Sequence, residues 1–416
     1  MNIMDTYNPS IPRLQELSFL GVAAIGAHDG NTFEEIRQAL IDHMIGLREA
    51  NTPSGNNAIL QHAKYNPHRY LTNTTEALSE LMRLGMIEKS PLPSTKNAAL
   101  AYTKRCFTMT PIGEHWVEQL ESSQQRVAYD TLLVKLWQHH PQFSGYLRLL
   151  AKTMLIIPTG KWTEVSAMVP STNERNMYLS FLAHRAAEEV KSGTTGWQAT
   201  EEEILAGMKQ YIDKRLESAI HHKRPNPYPR HQDFVGACEE ALVTFAFRRA
   251  GLPLDYISHE ILRRWTKELG VANFSYHVPA TPALRLWITA DIDENEGSPQ
   301  VLRRGKIDWG ERILALLPEA YNDVRRKELS NSWVPIYRVR AAVCSKLGLN
   351  DPVFDATLRD FLADKSNPNP RFRLNLDSIE FGMTPPTEQP FKIRDANRRN
   401  LTYHVMTLIP SSERRD

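Results

Sequence analysis

Paired histidines stand at His139-His140 and His221-His222, and imidazoles can hold a metal. Adjacent residues on a helix point about 100 degrees apart. Neither pair has a carboxylate or cysteine at ligand spacing, so no metal site is expected. Gly160-Lys161 lacks the earlier glycine and the following Ser or Thr of a phosphate loop. Asp291, Asp293 and Asn295 begin like a calcium loop, but Gly297 comes one place late and Leu302 occupies the position that needs a bidentate glutamate. The chain also lacks a nucleophile elbow, a zinc-protease helix and a glycine-rich dinucleotide turn. These absences predict a protein that is not an enzyme and carries no cofactor or metal.

Clustered cations are the remaining chemistry. A first group comprises Lys64, His68, Arg69, Arg83, Lys89, Lys96, Lys104 and Arg105, and a second comprises Arg263, Arg264 and Lys267, with Arg248 and Arg249 close in sequence. Ammonium and guanidinium groups grip phosphates, and guanidinium can also read guanine. Acids oppose this reading. Thr75, Glu76, Ser79, Glu80 and Arg83 are expected on the outer face of one helix, and Glu260 and Glu268 accompany the second group. A third group, Lys392, Arg394, Arg398 and Arg399, falls in a long connection between two expected strands.

The elements that must position these groups are legible from capping and periodicity. Thr32 and Glu35 form a capping box ahead of Phe33, Ile36, Leu40, Met44 and Leu47. A second helix is expected around Ile59, Leu60 and Ala63, followed by a loop at His68 to Tyr70. Asn73 is read as the cap of a third helix carrying Ala77, Leu78, Leu81 and Met82, which Gly85 ends. Met86-Ile87 and the run from Tyr102 to Met109 suggest a hairpin. Thr110-Pro111 starts a helix with Ile112, Trp116, Val117 and Leu120 inward. Residues from Glu121 to about Ala219 read as wholly helical, including a helix from Tyr146 to Ile157. The stretch RPNPYPR (Arg224 to Arg230) reads as a hinge. Beyond it, Phe234–Ala250 and a helix capped by Asp255, with Ile257, Ile261, Leu262, Trp265 and Leu269 inward, precede strands at Phe274–Val278 and Leu284–Ile288. A helix from Trp309 leads to Val334–Leu347, with Arg338, Arg340 and Lys346 outward, then a helix from Pro352 to Leu362 and strands at Phe372–Leu376 and Tyr403–Leu408.

The segment LMRLGMIE running into the first hairpin, with FTMTPIGEHW leaving it, resembles the winged-helix family over residues 31–122. Similar but remoter helix-helix-hairpin orders recur further on. The resemblance implies a mainly α fold with small β-hairpins: an arm (1–30), a winged-helix domain (31–122), a helical linker (123–222) and two winged-helix-like domains (232–330 and 331–416). It implies double-stranded DNA as partner, or alternatively docking as an accessory subunit on an ATPase or nuclease. Chains with several such units resemble components of bacterial DNA-maintenance or phage-defence operons.

Composition is compatible with either partner. There are 50 Lys plus Arg against 48 Asp plus Glu, so only clustering of charge can favour nucleic acid. The cysteines Cys106, Cys238 and Cys344 are too dispersed for a disulfide framework, and a reducing cytoplasm is expected. The run Leu17 to Ala27 lacks the upstream positive charge of a signal peptide and is expected to pack on the first domain. No run approaches the length of a membrane span.

Overall fold

The computed structural model describes residues 16–49, 67–91, 104–122, 124–159, 171–223, 225–228, 230–278, 283–295, 298–328, 333–363, 372–378, 390–394 and 400–410. Over these the chain is mainly helical, with antiparallel sheets of two or three strands. Internal packing divides it into two units: Met1–Gly145 with Ile257–Leu269 and Glu294–Pro299, and Tyr146–Tyr256 with Gly270–Asp293 and Gln300–Asp416.

In the first unit, helix α1 (Ser18–His28) buries Phe19, Leu20, Ala23, Ala24 and Ala27, as expected of a core segment. It packs on α2 (Phe33–Glu49), α3 (Pro67–Arg83) and α4 (Pro111–Glu121). The capping box of α2 is formed: Thr32 N donates to Glu35 Oε2 at 2.7 Å, and Glu35 N to Thr32 Oγ1 at 3.4 Å. The second helix expected around Ile59 lies outside the described residues. Helix α3 starts at Pro67 rather than at Asn73, so the residues expected to form a loop, His68 to Tyr70, belong to its first turn. Proline is well suited to that place because its missing N–H has no helical partner anyway.

Strands β1 (Ile87–Lys89) and β2 (Phe107–Met109) form the expected hairpin. Thr110 Oγ1 caps α4 by accepting from Gly113 N at 3.1 Å, and donates to Gly85 O at 2.8 Å. Trp116 and Val117 point inward from α4, whereas Ile112 is 44% exposed, contrary to expectation. Gly113 takes the inner place because the chain of Met86 passes too close for a side chain: a Cβ there would stand 2.0 Å from Met86 O. Helix α5 (Gln125–His139) closes over this region, with Ala128 O accepting from Trp116 Nε1 at 2.8 Å.

Helix α6 (Pro141–Lys152) leads to β3 (Leu155–Pro158), so the segment expected to be wholly helical contains a strand. All four of its residues are buried, and a short apolar run of this kind has no periodicity that would separate strand from helix. Helices α7 (Thr172–Lys191) and α8 (Glu201–His221) both begin with capping boxes, the second from Thr200 and Glu203. Tyr228 of the proline-rich stretch is fully buried, edge-on to Phe234 of α9 (His231–Arg249). Helix α10 (Tyr256–Glu268) precedes β4 (Ala272–Ser275) and β5 (Ala283–Ile288), which complete a sheet in the order β3-β5-β4. The acidic run at Asp291 is a strand, β6 (Ala290–Asn295), paired with β7 (Ser298–Arg303).

The C-terminal segment contains α11 (Lys306–Glu328), β8 (Val334–Pro335), α12 (Ile336–Leu347), α13 (Asp351–Ala363), β9 (Phe372–Asp377), β10 (Phe391–Arg394), β11 (Asn400–Tyr403) and β12 (Val405–Pro410). Strand β12 is central in the sheet β8-β12-β9, and β10 pairs with β11. Its core joins Leu317, Val339, Val343, Phe354, Phe372 and Met406.

The Gly113 approach gives the fold a sharp test. Gly113→Ala is expected to lower stability by about 1–3 kcal/mol through overpacking, measured by urea unfolding; an unchanged midpoint contradicts this packing.

Candidate nucleic-acid interface

The cations expected to form the interface fare unequally. Lys64 and Lys96 lie outside the described residues. His68 and Arg69 fall in the first turn of α3. Lys89 and Lys104 are exposed beside the β1–β2 hairpin, and half-buried Arg105 donates from Nε to Ser90 O at 3.1 Å. Arg83 is exposed at the end of α3, with its guanidinium 3.5 Å from Glu80.

Glu80 is not on the outer face. It is 1% exposed, and its carboxylate bonds to Nε2 of His140, itself buried and edge-on to Trp265 at 6.2 Å between ring centres. A buried acid needs such a partner, because an unpaired charge in the core is costly. Glu80 adjoins Leu81 and stands one turn from Ala77, so it lies on the edge of the inward stripe. Glu76, the other acid expected outward, is half-buried.

Helix α10 departs furthest from its expected role. Arg263 is 7% exposed and ion-paired with Glu260, while Arg264 and Lys267 are half-buried. The three do not share an exposed side. Apolar Ile261, Leu262 and Trp265 mark one buried face, but His259, Arg263 and Thr266 are covered too, so protein surrounds most of the helix. Burial holds the His259 imidazole well below its ordinary pKa, with Arg263 adding to the effect, and the ring is neutral. Leu17 N donates to Glu268 Oε2 at 2.8 Å. Ile257, expected inward, is 50% exposed.

Two cations meet at the C-terminal hairpin, one of them from the stretch that sequence reading placed in a long connection. Strand register pairs Lys392 with Thr402 and position 394 with position 400. Phe391 is buried and packs inward, and alternation puts the half-buried Lys392 on the opposite face. Helix α13 adds exposed Arg359, whose Nη1 donates to Lys392 O at 3.4 Å. Arg359 and Lys392 are thereby brought together from elements 33 residues apart. Arg359 was missed in the sequence because a single arginine beside Asp360 carries no signal of its own.

One turn before Arg359 on α13 lies an ion cluster, and the Arg359 charge acts on its Asp355. Arg340 of α12, expected to point outward, is 1% exposed. Its Nη1 lies 3.2 Å from Asp355 Oδ2, and its Nε 3.9 Å from Asp351 Oδ1. Gly348, left-handed at φ 63°, ends α12 and permits the short turn into α13. Burial pushes the Asp355 carboxyl up to about 6; Arg340 opposes that shift and Asp351 reinforces it.

Among the described residues no group of three or more His, Cys, Asp or Glu could hold a metal ion. Nor is any described helix long and apolar enough to cross a membrane. No protein-family model matches the chain, and neither a curated protein nor a solved structure matches it.

Because the folded-state pKa of Asp355 lies above its ordinary 3.8, its contribution to stability is full below about pH 4 and is lost as pH rises through about 6. Wild-type protein is expected to lose stability from this group across that window. Asp355→Asn should flatten that part of the profile in urea unfolding at stepped pH; an unaltered slope contradicts the assignment.

Proposed function

We propose that the chain binds double-stranded DNA without acting on it chemically, through winged-helix-like units that grip the backbone with basic hairpins. The observation that carries this reading is the meeting of Lys392 and Arg359 at the C-terminal hairpin. In the C-terminal segment, α12 and α13 are joined by a tight glycine turn and followed by antiparallel strands with a hairpin between them. That is the order the winged-helix resemblance implies. The order α3, β1, β2 gives the hairpin half of it near the N-terminus.

The chemistry is counter-ion release. Each ammonium or guanidinium that replaces a condensed cation on a phosphate gains affinity that falls with salt. Arg359 and the β10–β11 hairpin supply one grip, and Lys89, Lys104 and Arg105 a second. Helix α10 takes no part, because its Arg263 is already paired and covered. Contacts of this type position a protein on a duplex and carry little sequence information.

A second reading, docking as an accessory subunit, is favoured by Met177 and Phe181. They stand one turn apart on α7 at 66% and 44% exposure. A stoichiometric protein partner retained in high salt, together with no duplex binding, would make that the better reading.

DNA binding is tested by fluorescence anisotropy with a random duplex between low and moderate salt. The wild-type chain is expected to bind at low salt and weaken steeply as salt rises, and Lys392→Glu with Arg394→Glu to weaken binding roughly tenfold or more. No binding at low salt, or no effect of the paired substitution, contradicts the proposal.

A further inference from the structure

A cavity of about 240 Å³ in the second unit is lined by the apolar Met154, Val278 and Leu316 and by the charged Arg285, Glu319, Asp323 and Lys346. Lys346 Nζ and Glu319 Oε1 pair at 2.8 Å and neutralise one another. Arg285 and Asp323 are left. The Nε of Arg285 is buried with no hydrogen-bond partner among the described residues, although a buried donor of this kind is costly to leave unmade. Burial also depresses the guanidinium's pKa, with Glu189 opposing through space. Asp323 is exposed at the cavity wall and carries no ion pair among the described residues.

We propose that this cavity binds a free apolar α-amino acid, with the carboxylate on Arg285, the ammonium on Asp323 and the side chain against Met154, Val278 and Leu316. A cavity of about 150 Å³ takes a benzene molecule, so this one suits about ten non-hydrogen atoms, the size of leucine or methionine. The four charged walls sum to zero, two cations against two acids. A zwitterion offers one group to each of Arg285 and Asp323, whereas a simple carboxylate or amine meets only one of them. Guanidinium is the group best shaped for two-point capture of a carboxylate. The proposal is independent of DNA binding, since none of these residues belongs to the hairpins.

Isothermal titration of the full chain with L-leucine, L-methionine and L-phenylalanine tests it. Saturable one-site binding of at least one is expected, with 4-methylpentanoate and isoamylamine, which each lack one of leucine's charged groups, binding at least tenfold more weakly than leucine itself where leucine is the ligand. Arg285→Met should weaken the bound amino acid tenfold or more. Asp323→Asn, at an exposed position that leaves folding intact, should do the same and keeps the test decisive if the first variant misfolds. Absence of saturable binding by all three amino acids, or binding unchanged in Asp323→Asn, overturns the proposal.

Discussion

The guanidinium of Arg340 is almost completely withdrawn from water, and the C-terminal half of the molecule is arranged around that constraint. Removing a charge from water costs several kcal/mol, recovered only with close acids and good hydrogen bonds. Asp351 and Asp355 provide the acids, one at the start of α13 and the other one turn later. Their demand for Arg340 fixes how α13 leaves the glycine turn. The same turn is held from the preceding sheet, where Asn273 Nδ2 donates to Asp351 Oδ1 at 2.8 Å and Trp287 Nε1 to Leu349 O at 2.9 Å. Arg359, one turn beyond Asp355 and within reach of its charge, is exposed and donates to Lys392 O of the hairpin.

The same logic separates the two basic groups read from the sequence. Arg263 and Arg340 both sit in basic, apparently amphipathic helices, and both are buried with acids. Arginine tolerates this because its planar fork can be satisfied by a carboxylate at close range. The lysines Lys89 and Lys104 remain at the surface, as a strongly hydrated ammonium favours.

Local signals were therefore legible and distant partners were not. The capping boxes at Thr32 and Thr200 follow directly from their Thr-x-x-Glu spacing. The hairpin at Ile87 and Met109, the α4 cap at Thr110 and the burial of α1 all follow from short-range pattern. Glu80 reads as a surface acid until His140, 60 residues away, is brought against it. Strand β3 reads as the end of a helix because its edge is supplied by β5, more than a hundred residues later. Arg359 and Lys392 do not read as neighbours until β10 is brought against α13. Charge marks a surface only where no partner arrives from elsewhere in the chain.

What this organisation amounts to is a scaffold of buried ion pairs that leaves a few cations uncommitted, and the central claim is that those cations meet a phosphate backbone. The most direct measurement places a photo-crosslinking side chain at Thr402, opposite Lys392 and sparing the cations, with a control at Ser180 on α7. Irradiation with a labelled random duplex at low salt should crosslink DNA from position 402, lose the product at moderate salt, and give none from position 180. Equal yields from both positions, or no DNA product from 402, would contradict the account.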